Sequence, residues 1–399
     1  MIKAFATNVM LNGVASAIGS ISIIFVVSML SPSTWGVSAA LLGVGQFAGA
    51  AISFGSQIER VKRYSRQEPT GARHSATQDS VARVTVGLVL ATVALVAFLM
   101  GAVVVGSILI GAAGVFAGLG TSNFRVSQKE FGAVGVRIIS EKLLALSIVG
   151  VSALLDVLDE TTLPIAIGLA GLVVGLLDVL TLRPDRADIR AGLSTRVFAR
   201  QWSNAFYYGL ASMAPSLLLL DSMVVIAFSD STQAGYLSLG SKLVSPLSIA
   251  ATAIVTALLP YLSAGSGRVL PRIPKKKASI VLAAFGGMMA VFFILADSWV
   301  PWLFGSEYAP SAWPVRLYIL NVVVILFTRV GVTILQAWDD QRVAGIMVST
   351  QSSVALVGIA VGAYVGGALG ASFALVLTNL VLAVLLHWRV RSLTAGTAS

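Results

Sequence analysis

Three ionisable residues, Asp221, Lys242 and Arg329, lie inside long apolar stretches of the chain. A charge near the centre of a bilayer costs about 2.5–3.5 kcal/mol, so such a residue usually has a partner or a function. Asp221 comes eight residues before Ser229, and Lys242 comes seven after Gly235. With a rise of about 1.5 Å per residue, both lie about 10–12 Å deep on consecutive antiparallel helices. They can form a structural ion pair, or they can bind a coupling ion or a substrate.

Arg329 is the stronger candidate for contact with an anionic substrate. A guanidinium group binds phosphate through two parallel hydrogen bonds. No acidic residue lies at matching depth in the helical hairpin that contains Arg329. The alternative is a side chain that extends along the apolar surface to the cytoplasmic interface near Trp338.

Polar residues recur every four positions in two other apolar stretches. This spacing places each set along one face of a helix, which should avoid lipid and contact either protein or water. The serines fit close helix packing or a cavity equally well, whereas the three asparagines favour a cavity. The two sets are Asn8, Asn12, Ser16 and Ser20, and Asn204, Tyr208, Ser212 and Ser216.

Gly19 and Pro215 occupy equivalent positions on these two helices. Proline removes a backbone hydrogen bond and glycine loosens the helix, so both are hinge candidates. A static kink without movement is the alternative.

Catalytic and metal chemistry find little support in the sequence. The chain has no cysteine and only two histidines, which argues against thiolate chemistry and a histidine-rich metal site. No GxxxxGK[ST] loop is present for nucleotide hydrolysis. We therefore expect a protein that is not an enzyme and that uses no cofactor.

The elements that position these residues are apolar helices. Of 399 residues, 57% are apolar and 11% are charged, and the mean hydropathy is +0.90. Apolar runs of about 20 residues recur along the chain, which is the length of a transmembrane helix. The sequence predicts an all-α polytopic membrane protein with about twelve spans. These are residues 6–30, 36–55, 82–104, 107–124, 134–155, 162–182, 202–229, 234–262, 279–300, 313–336, 343–364 and 368–388.

Basic residues are clustered in alternate loops. The basic clusters at 60–83, 125–142, 183–200 and 268–277 are separated by pairs of spans, and the intervening loops are acidic, as at Asp156 and Asp159. The positive-inside rule therefore predicts a multi-pass protein of the cell membrane with both termini in the cytoplasm. The net charge of +10 then indicates contact with anionic membrane lipid rather than with nucleic acid.

An internal repeat divides the chain. Residues 7–20 align without a gap with residues 203–216, pairing Asn8 with Asn204, and the following turns at Ser31 and Ser229 also align. Because six crossings separate the copies, they have the same orientation and form a parallel repeat. Chance similarity of apolar helices is the alternative. The predicted parts are a six-helix bundle at 1–182, a basic cytoplasmic linker at 183–201, a second bundle at 202–390 and a tail at 391–399.

Two segments, residues 221–263 and 303–320, resemble the polysaccharide flippases related to Wzx, which belong to the MOP superfamily of multidrug, oligosaccharidyl-lipid and polysaccharide exporters. The resemblance implies a V-shaped pair of six-helix bundles with a cationic cavity that works by alternating access. Unlike the lipid II branch, this chain has no arginine between Lys3 and Glu59, which leaves Arg329 and Lys242 as the cations for a diphosphate. The matching positions are Asp221, Gly235, Tyr236, Lys242 and Pro260, and Phe304, Gly305 and Tyr308.

The resemblance implies a flippase that moves a polyprenyl-diphosphate-linked oligosaccharide from the cytoplasmic to the external leaflet. A polysaccharide polymerase or glycosyltransferases are the expected protein partners. One alternative is a cation-coupled multidrug exporter of the same superfamily, with Asp221 as the ion site. Another is a membrane partner in glycan assembly that transports nothing.

Overall fold

The computed structural model describes residues 2–53, 60, 64, 68–118, 122–128, 130–194, 214–244, 275–337 and 340–395. Within these ranges the chain is predominantly helical and contains no strand, which confirms the predicted fold class. The first eight helices are α1 (Ile2–Met29), α2 (Pro32–Ser53), α3 (Pro69–Leu99), α4 (Val103–Gly118), α5 (Ser122–Ser127), α6 (Phe131–Leu154), α7 (Thr162–Thr181) and α8 (Arg186–Gly192). The later helices are α9 (Asp221–Phe228), α10 (residues 231–244), α11 (Lys275–Ile294), α12 (Ala296–Phe304), α13 (Ala312–Ala337) and α14 (Gln341–Ala395).

Several of these helices can cross a membrane. Five helices in the described ranges are long and apolar enough, or six if the bent pair α11 and α12 counts as one span. Many large apolar side chains on them are exposed, for example Leu99 and Phe327, as expected for contact with lipid. The number twelve stays a prediction.

Three boundaries differ from the expected spans. Helix α3 begins at Pro69 rather than near residue 82, because a polar helical segment precedes its apolar part. The turn between α3 and α4 lies at Gly101, whose φ of +77° suits glycine, whereas the sequence predicts a break at 105–106. The expected span 279–300 is bent by 69° between Ile294 and Ala296.

The chain divides into two compact units. Unit 1 comprises Met1–Val26 and Val37–Met223, and unit 2 comprises Val27–Gly36 and Val224–Ser399. The predicted bundles at 1–182 and 202–390 and the tail at 391–399 stay predictions. The predicted linker at 183–201 contains helix α8.

Unit 1 is held together by closely packed small residues. A Cβ atom on Gly114 of α4 would overlap the backbone oxygen of Gly168 on α7, and one on Gly171 would lie 2.7 Å from the oxygen of Gly114. Small residues allow helix backbones to approach this closely. A buried apolar cluster at Val81, Val84, Ala117, Leu172 and Val179 joins α3, α4 and α7.

Unit 2 is organised around the hairpin of α13 and α14. Helix α14 is interrupted at Gly366 and Gly367, where residue 367 has a positive φ of 57°. The backbone N–H of Ala368 donates a 2.8 Å hydrogen bond to Oε1 of Gln233 on α10. The break matches the predicted boundary between spans 343–364 and 368–388. The apolar core of the hairpin contains Ile334, Leu335, Ala344, Leu382, Leu386 and Val390.

Candidate functional site

Charged residues of α6 and α7 form a connected cluster in unit 1. Nε of Arg137 lies 2.8 Å from Oδ2 of Asp178, and Nη2 of Arg137 lies 3.4 Å from Oε2 of Glu141. Arg137 and Glu141 are four residues apart and so share one face of α6. The side chains of Arg137 and Asp178 are 6% and 9% exposed. Burial of this kind requires that the charges be paired.

Two further cations complete this cluster. Nη2 of Arg125 on α5 lies 3.3 Å from Oδ1 of Asp178 and donates a 2.8 Å hydrogen bond to Oγ1 of Thr181. Nζ of Lys142 lies 3.5 Å from Oε1 of Glu141. We call these five residues, Arg125, Arg137, Glu141, Lys142 and Asp178, the unit 1 charge cluster. Its three cations exceed its two carboxylates by one positive charge.

The charge cluster reaches deep into the helices. Lys142 comes eleven residues after the first residue of α6, which is about 16 Å along the helix axis. A Cβ atom on Gly19 of α1 would lie 3.6 Å from Cδ of Lys142. Gly19, predicted as a hinge, therefore lies beside the Lys142 side chain. The hinge role itself stays a prediction.

A second group of buried charges lies near the N-terminal part of α3. Arg60 Nε lies 3.4 Å from Oδ2 of Asp79, which also accepts a hydrogen bond from the Tyr64 hydroxyl. Arg83 donates to Oγ of Ser53 at 3.3 Å. Arg60 and Arg83 are each 1% exposed, so they contribute to packing inside unit 1 rather than to its surface.

The predicted ionisable residues are divided between the two units. Asp221 belongs to unit 1, and Lys242 and Arg329 belong to unit 2. Asp221 is 7% exposed, and its Oδ1 accepts hydrogen bonds from the backbone N–H and the hydroxyl of Ser222 at 2.6 and 3.0 Å. Lys242 is half-buried on α10 and Arg329 is exposed on α13. Whether Asp221 and Lys242 form an ion pair or a binding site stays a prediction, as does the role of Arg329.

The predicted polar faces fall largely outside the described residues. Asn8 and Asn12 lie on the backbone of α1, but their side chains are outside the described part of the chain. Asn204 and Tyr208 lie outside it altogether. Pro215 is described, and the helix that contains it tightens to a 3₁₀ turn at Leu217–Leu220 before α9 begins. Such a change of helix type often accompanies a bend, and a hinge at Pro215 stays a prediction.

One buried polar network was not anticipated from the sequence. Nδ2 of Asn379 on α14 donates a 2.9 Å hydrogen bond to Oδ1 of Asn321 on α13. Gln351 donates through Nε2 to Oδ1 of Asn379 at 3.1 Å. Asn321 and Asn379 are 4% and 6% exposed, so the network joins helix interiors rather than lining an open surface. The sequence signal that could have indicated this network is the presence of Asn321, Gln351 and Asn379 within otherwise apolar spans.

Comparison with known proteins finds no related sequence family but finds solved structures with the same fold. No protein-family model and no curated protein sequence match the chain. An inward-facing multidrug resistance MATE transporter of the MOP superfamily matches 97% of this chain and 96% of its own, with a TM-score of 0.64 and 14% identity. The inward closed form of the lipid II flippase MurJ matches 97% of this chain and 87% of its own, with a TM-score of 0.67 and 12% identity. The chain has the fold of the MOP transporters.

A third MOP transporter widens this comparison. It comes from Pyrococcus furiosus, is described as having a binding pocket of reversed polarity, and matches 98% of this chain and 96% of its own with a TM-score of 0.58 and 14% identity. The shared fold confirms the expected fold class, and the apolar helices of the described ranges are those of a multi-pass membrane protein. These neighbours are described as transporters and a flippase, and the expectation of no catalytic activity stays a prediction.

Proposed function

We propose that this MOP-fold protein is a flippase for a polyprenyl-diphosphate-linked oligosaccharide and works by alternating access. The observation that carries the proposal is the excess of positive charge in the unit 1 charge cluster. A diphosphate needs cations at membrane depth, because its charge is not solvated by lipid. A pocket for cationic drugs would need the opposite excess.

Within the charge cluster, Lys142 is the cation best suited to contact the diphosphate. Its side chain is the most exposed of the cluster, at 32%, against 6% for Arg137 and 16% for Arg125. Its partner Glu141 also faces Arg137, so Glu141 keeps a cation when Lys142 turns to a ligand. In unit 2, Arg329 on α13 is a second exposed cation within an apolar helix.

Reconstituted protein provides the test. Full-length protein in liposomes should move a fluorescent polyprenyl diphosphate carrying a sugar between leaflets, measured as the fraction accessible to a membrane-impermeant quencher. Loss of one charge-assisted hydrogen bond costs about 1.5–3 kcal/mol, so Lys142→Gln and Arg329→Gln should each lower the rate at least about tenfold. Arg329→Lys should also lower it, since lysine binds only as a point charge.

Arg342→Gln is the matched control, because Arg342 is exposed near the start of α14 and its loss removes the same charge elsewhere. If the fluorescent lipid moves between leaflets no faster than in protein-free liposomes, the proposal is contradicted. Tolerance of the Lys142 and Arg329 changes together would favour a membrane partner in glycan assembly that transports nothing.

The second candidate is a cation-coupled multidrug exporter. It is favoured by buried carboxylates, since Asp221 and Asp178 are each 7% exposed. Under this alternative, an imposed sodium or proton gradient drives uptake of a cationic dye into the liposomes. Asp221→Asn should then abolish dye movement and leave lipid movement unchanged.

A further inference from the structure

Helix α8 lies close to the membrane boundary. The apolar helix α7 ends at Thr181 and α8 begins at Arg186, and five residues span at most about 18 Å. Leu176, Leu177 and Leu180 near the end of α7 are 41%, 55% and 59% exposed, which marks a side of α7 that contacts lipid. The first residues of α8 are therefore held at the depth of the lipid headgroups.

One face of α8 is fixed against α3. Both carboxylate oxygens of Asp188 lie 3.1 Å from Nδ1 of His74, and Nε2 of Gln78 donates to Oδ1 of Asp188 at 3.2 Å. A Cβ atom on Gly192 would lie 2.8 Å from the backbone oxygen of Gln78. Asp188 and Gly192 are both buried. This contact determines which side of α8 faces away from α3.

The outward face combines cations with apolar side chains. Arg186 and Arg190 are exposed and four residues apart, so they project from one side of the helix. Together with Ala187 and Ala191 they line an open cavity of about 530 Å³. Ile189 and Leu193 next to them are 41% and 57% exposed. A helix with arginines beside exposed aliphatic residues is typical of a segment that lies in the membrane interface.

We propose that α8 is a binding site for an anionic phospholipid. Arg186 and Arg190 bind the headgroup phosphate, because a guanidinium pairs with phosphate through two hydrogen bonds. Ile189 and Leu193 contact the upper part of the acyl chains. Charge complementarity supports this occupant, since the carboxylate of Asp188 is turned inward to His74 and Gln78 and does not oppose an anion on the outer face.

The test is a lipid competition on the full-length protein. Purified protein in neutral detergent is titrated with phosphatidylglycerol, with phosphatidylcholine of the same acyl chains, or with inorganic phosphate, and bound molecules are counted by native mass spectrometry. We expect a preference for phosphatidylglycerol over phosphatidylcholine. One basic side chain near an anionic surface contributes a factor of about five, so Arg186→Gln with Arg190→Gln should reduce the preference about 25-fold.

The control removes two exposed arginines of unit 2, by Arg342→Gln with Arg391→Gln, and should leave most of the preference intact. The double variant with Ile189→Ser and Leu193→Ser should weaken the binding of both lipids equally and leave the ratio of the two affinities unchanged. An unchanged preference in the α8 double variant, or an equal loss in the control, overturns the proposal. Displacement of phosphatidylglycerol by millimolar inorganic phosphate assigns the site to free phosphate and overturns the lipid assignment.

Discussion

Arg137 is the residue on which the unit 1 charge cluster depends. It faces both Asp178 and Glu141 at 2.8 and 3.4 Å, and its side chain is 6% exposed. Removal of one member of a buried ion pair leaves a charge without its counter-ion and costs about 3–5 kcal/mol. The stability of unit 1 should therefore respond more to Arg137 than to the partly exposed Lys142.

Arg137→Gln should lower the thermal unfolding temperature of the purified protein in detergent by several degrees. Because Asp178 keeps Arg125 as a second cation, we expect a loss near the lower end of the range, about 3 kcal/mol. Adding Asp178→Asn should recover part of the stability, since the carboxylate that has lost its closer cation is then removed. A single Arg137→Gln variant as stable as the unchanged protein would contradict a structural role for this ion pair.

Asp159 gives unit 1 a pH-dependent contact outside the apolar spans. Partial burial acts to raise the pKa of Asp159, but hydrogen bonds from the hydroxyls and backbone N–H groups of Thr161 and Thr162 outweigh it and hold the pKa below its ordinary value. A carboxylate with a lowered pKa stabilises the fold above its unfolded pKa, and this contribution is lost as the pH falls through the folded pKa. The affected element is the start of α7.

Acidification below about pH 4, the ordinary pKa of an aspartate, should therefore loosen the 156–162 loop. Hydrogen exchange of the backbone N–H groups of Thr161 and Thr162 reports this directly. Asp159→Ala should give low protection, relative to intrinsic exchange, at every pH and remove the pH dependence of that protection. Equal pH dependence in the variant and the unchanged protein would assign the effect to another group.

For single residues, the sequence pointed to some of the charged side chains and not to others. Arg137 and Lys142 were counted with a basic cytoplasmic cluster, because they lie close to Arg125 in the chain. The contact of Arg137 with Asp178 joins residues 41 positions apart on different helices, and spacing along one helix cannot predict such a contact. The signal that was present is Glu141 within an apolar span, four residues after an arginine.

The starts of α2 and α10 make a reciprocal contact within unit 2. A Cβ atom on Gly36 would overlap the backbone oxygen of Ser231, and one on Gly235 would overlap that of Pro32. Gly36 and Gly235 are 199 positions apart, and so are Pro32 and Ser231. Contacts of this kind, with partners exchanged, are typical of elements related by a twofold axis. The parallel repeat that the sequence predicts would give such a relation, and it stays a prediction.

Gly36→Ala and Gly235→Ala should therefore destabilise the protein to a similar extent. An added methyl group in a closely packed contact costs about 1–3 kcal/mol, which thermal unfolding in detergent can resolve. Gly150→Ala on α6 is the control, because nothing lies within 4 Å of a Cβ atom there, and alanine is the better helix former. If either interface variant behaves like Gly150→Ala, the two helices do not approach as closely as described.

Helix positions were largely predictable, whereas their ends were less so. The span expected at 162–182 coincides with α7, because acidic and polar residues bound its apolar run on both sides. Helix α3 was missed over its first thirteen residues, because a polar helix of a membrane protein carries no apolar signal. The bend between α11 and α12 was also missed, since no proline or glycine occupies residues 293–297.

For the molecule as a whole, the decisive property is the side of the membrane on which each loop lies. The positive-inside rule places the loop after α6 outside and α8 inside, with the single crossing of α7 between them. Five predicted spans separate α8 from the break in α14, so that break should lie outside. Two of these spans, at 202–229 and 234–262, extend beyond the described residues, so an experiment must decide whether the number of crossings is odd or even.

The absence of cysteine makes this prediction directly testable. Single substitutions Leu155→Cys, Ala187→Cys and Tyr364→Cys each place one thiol at an exposed position. A membrane-impermeant maleimide should label residues 155 and 364 in right-side-out vesicles and residue 187 only in inverted vesicles. Labelling of 187 and 364 from the same side would mean an even number of crossings between them. That result would contradict the twelve-span arrangement.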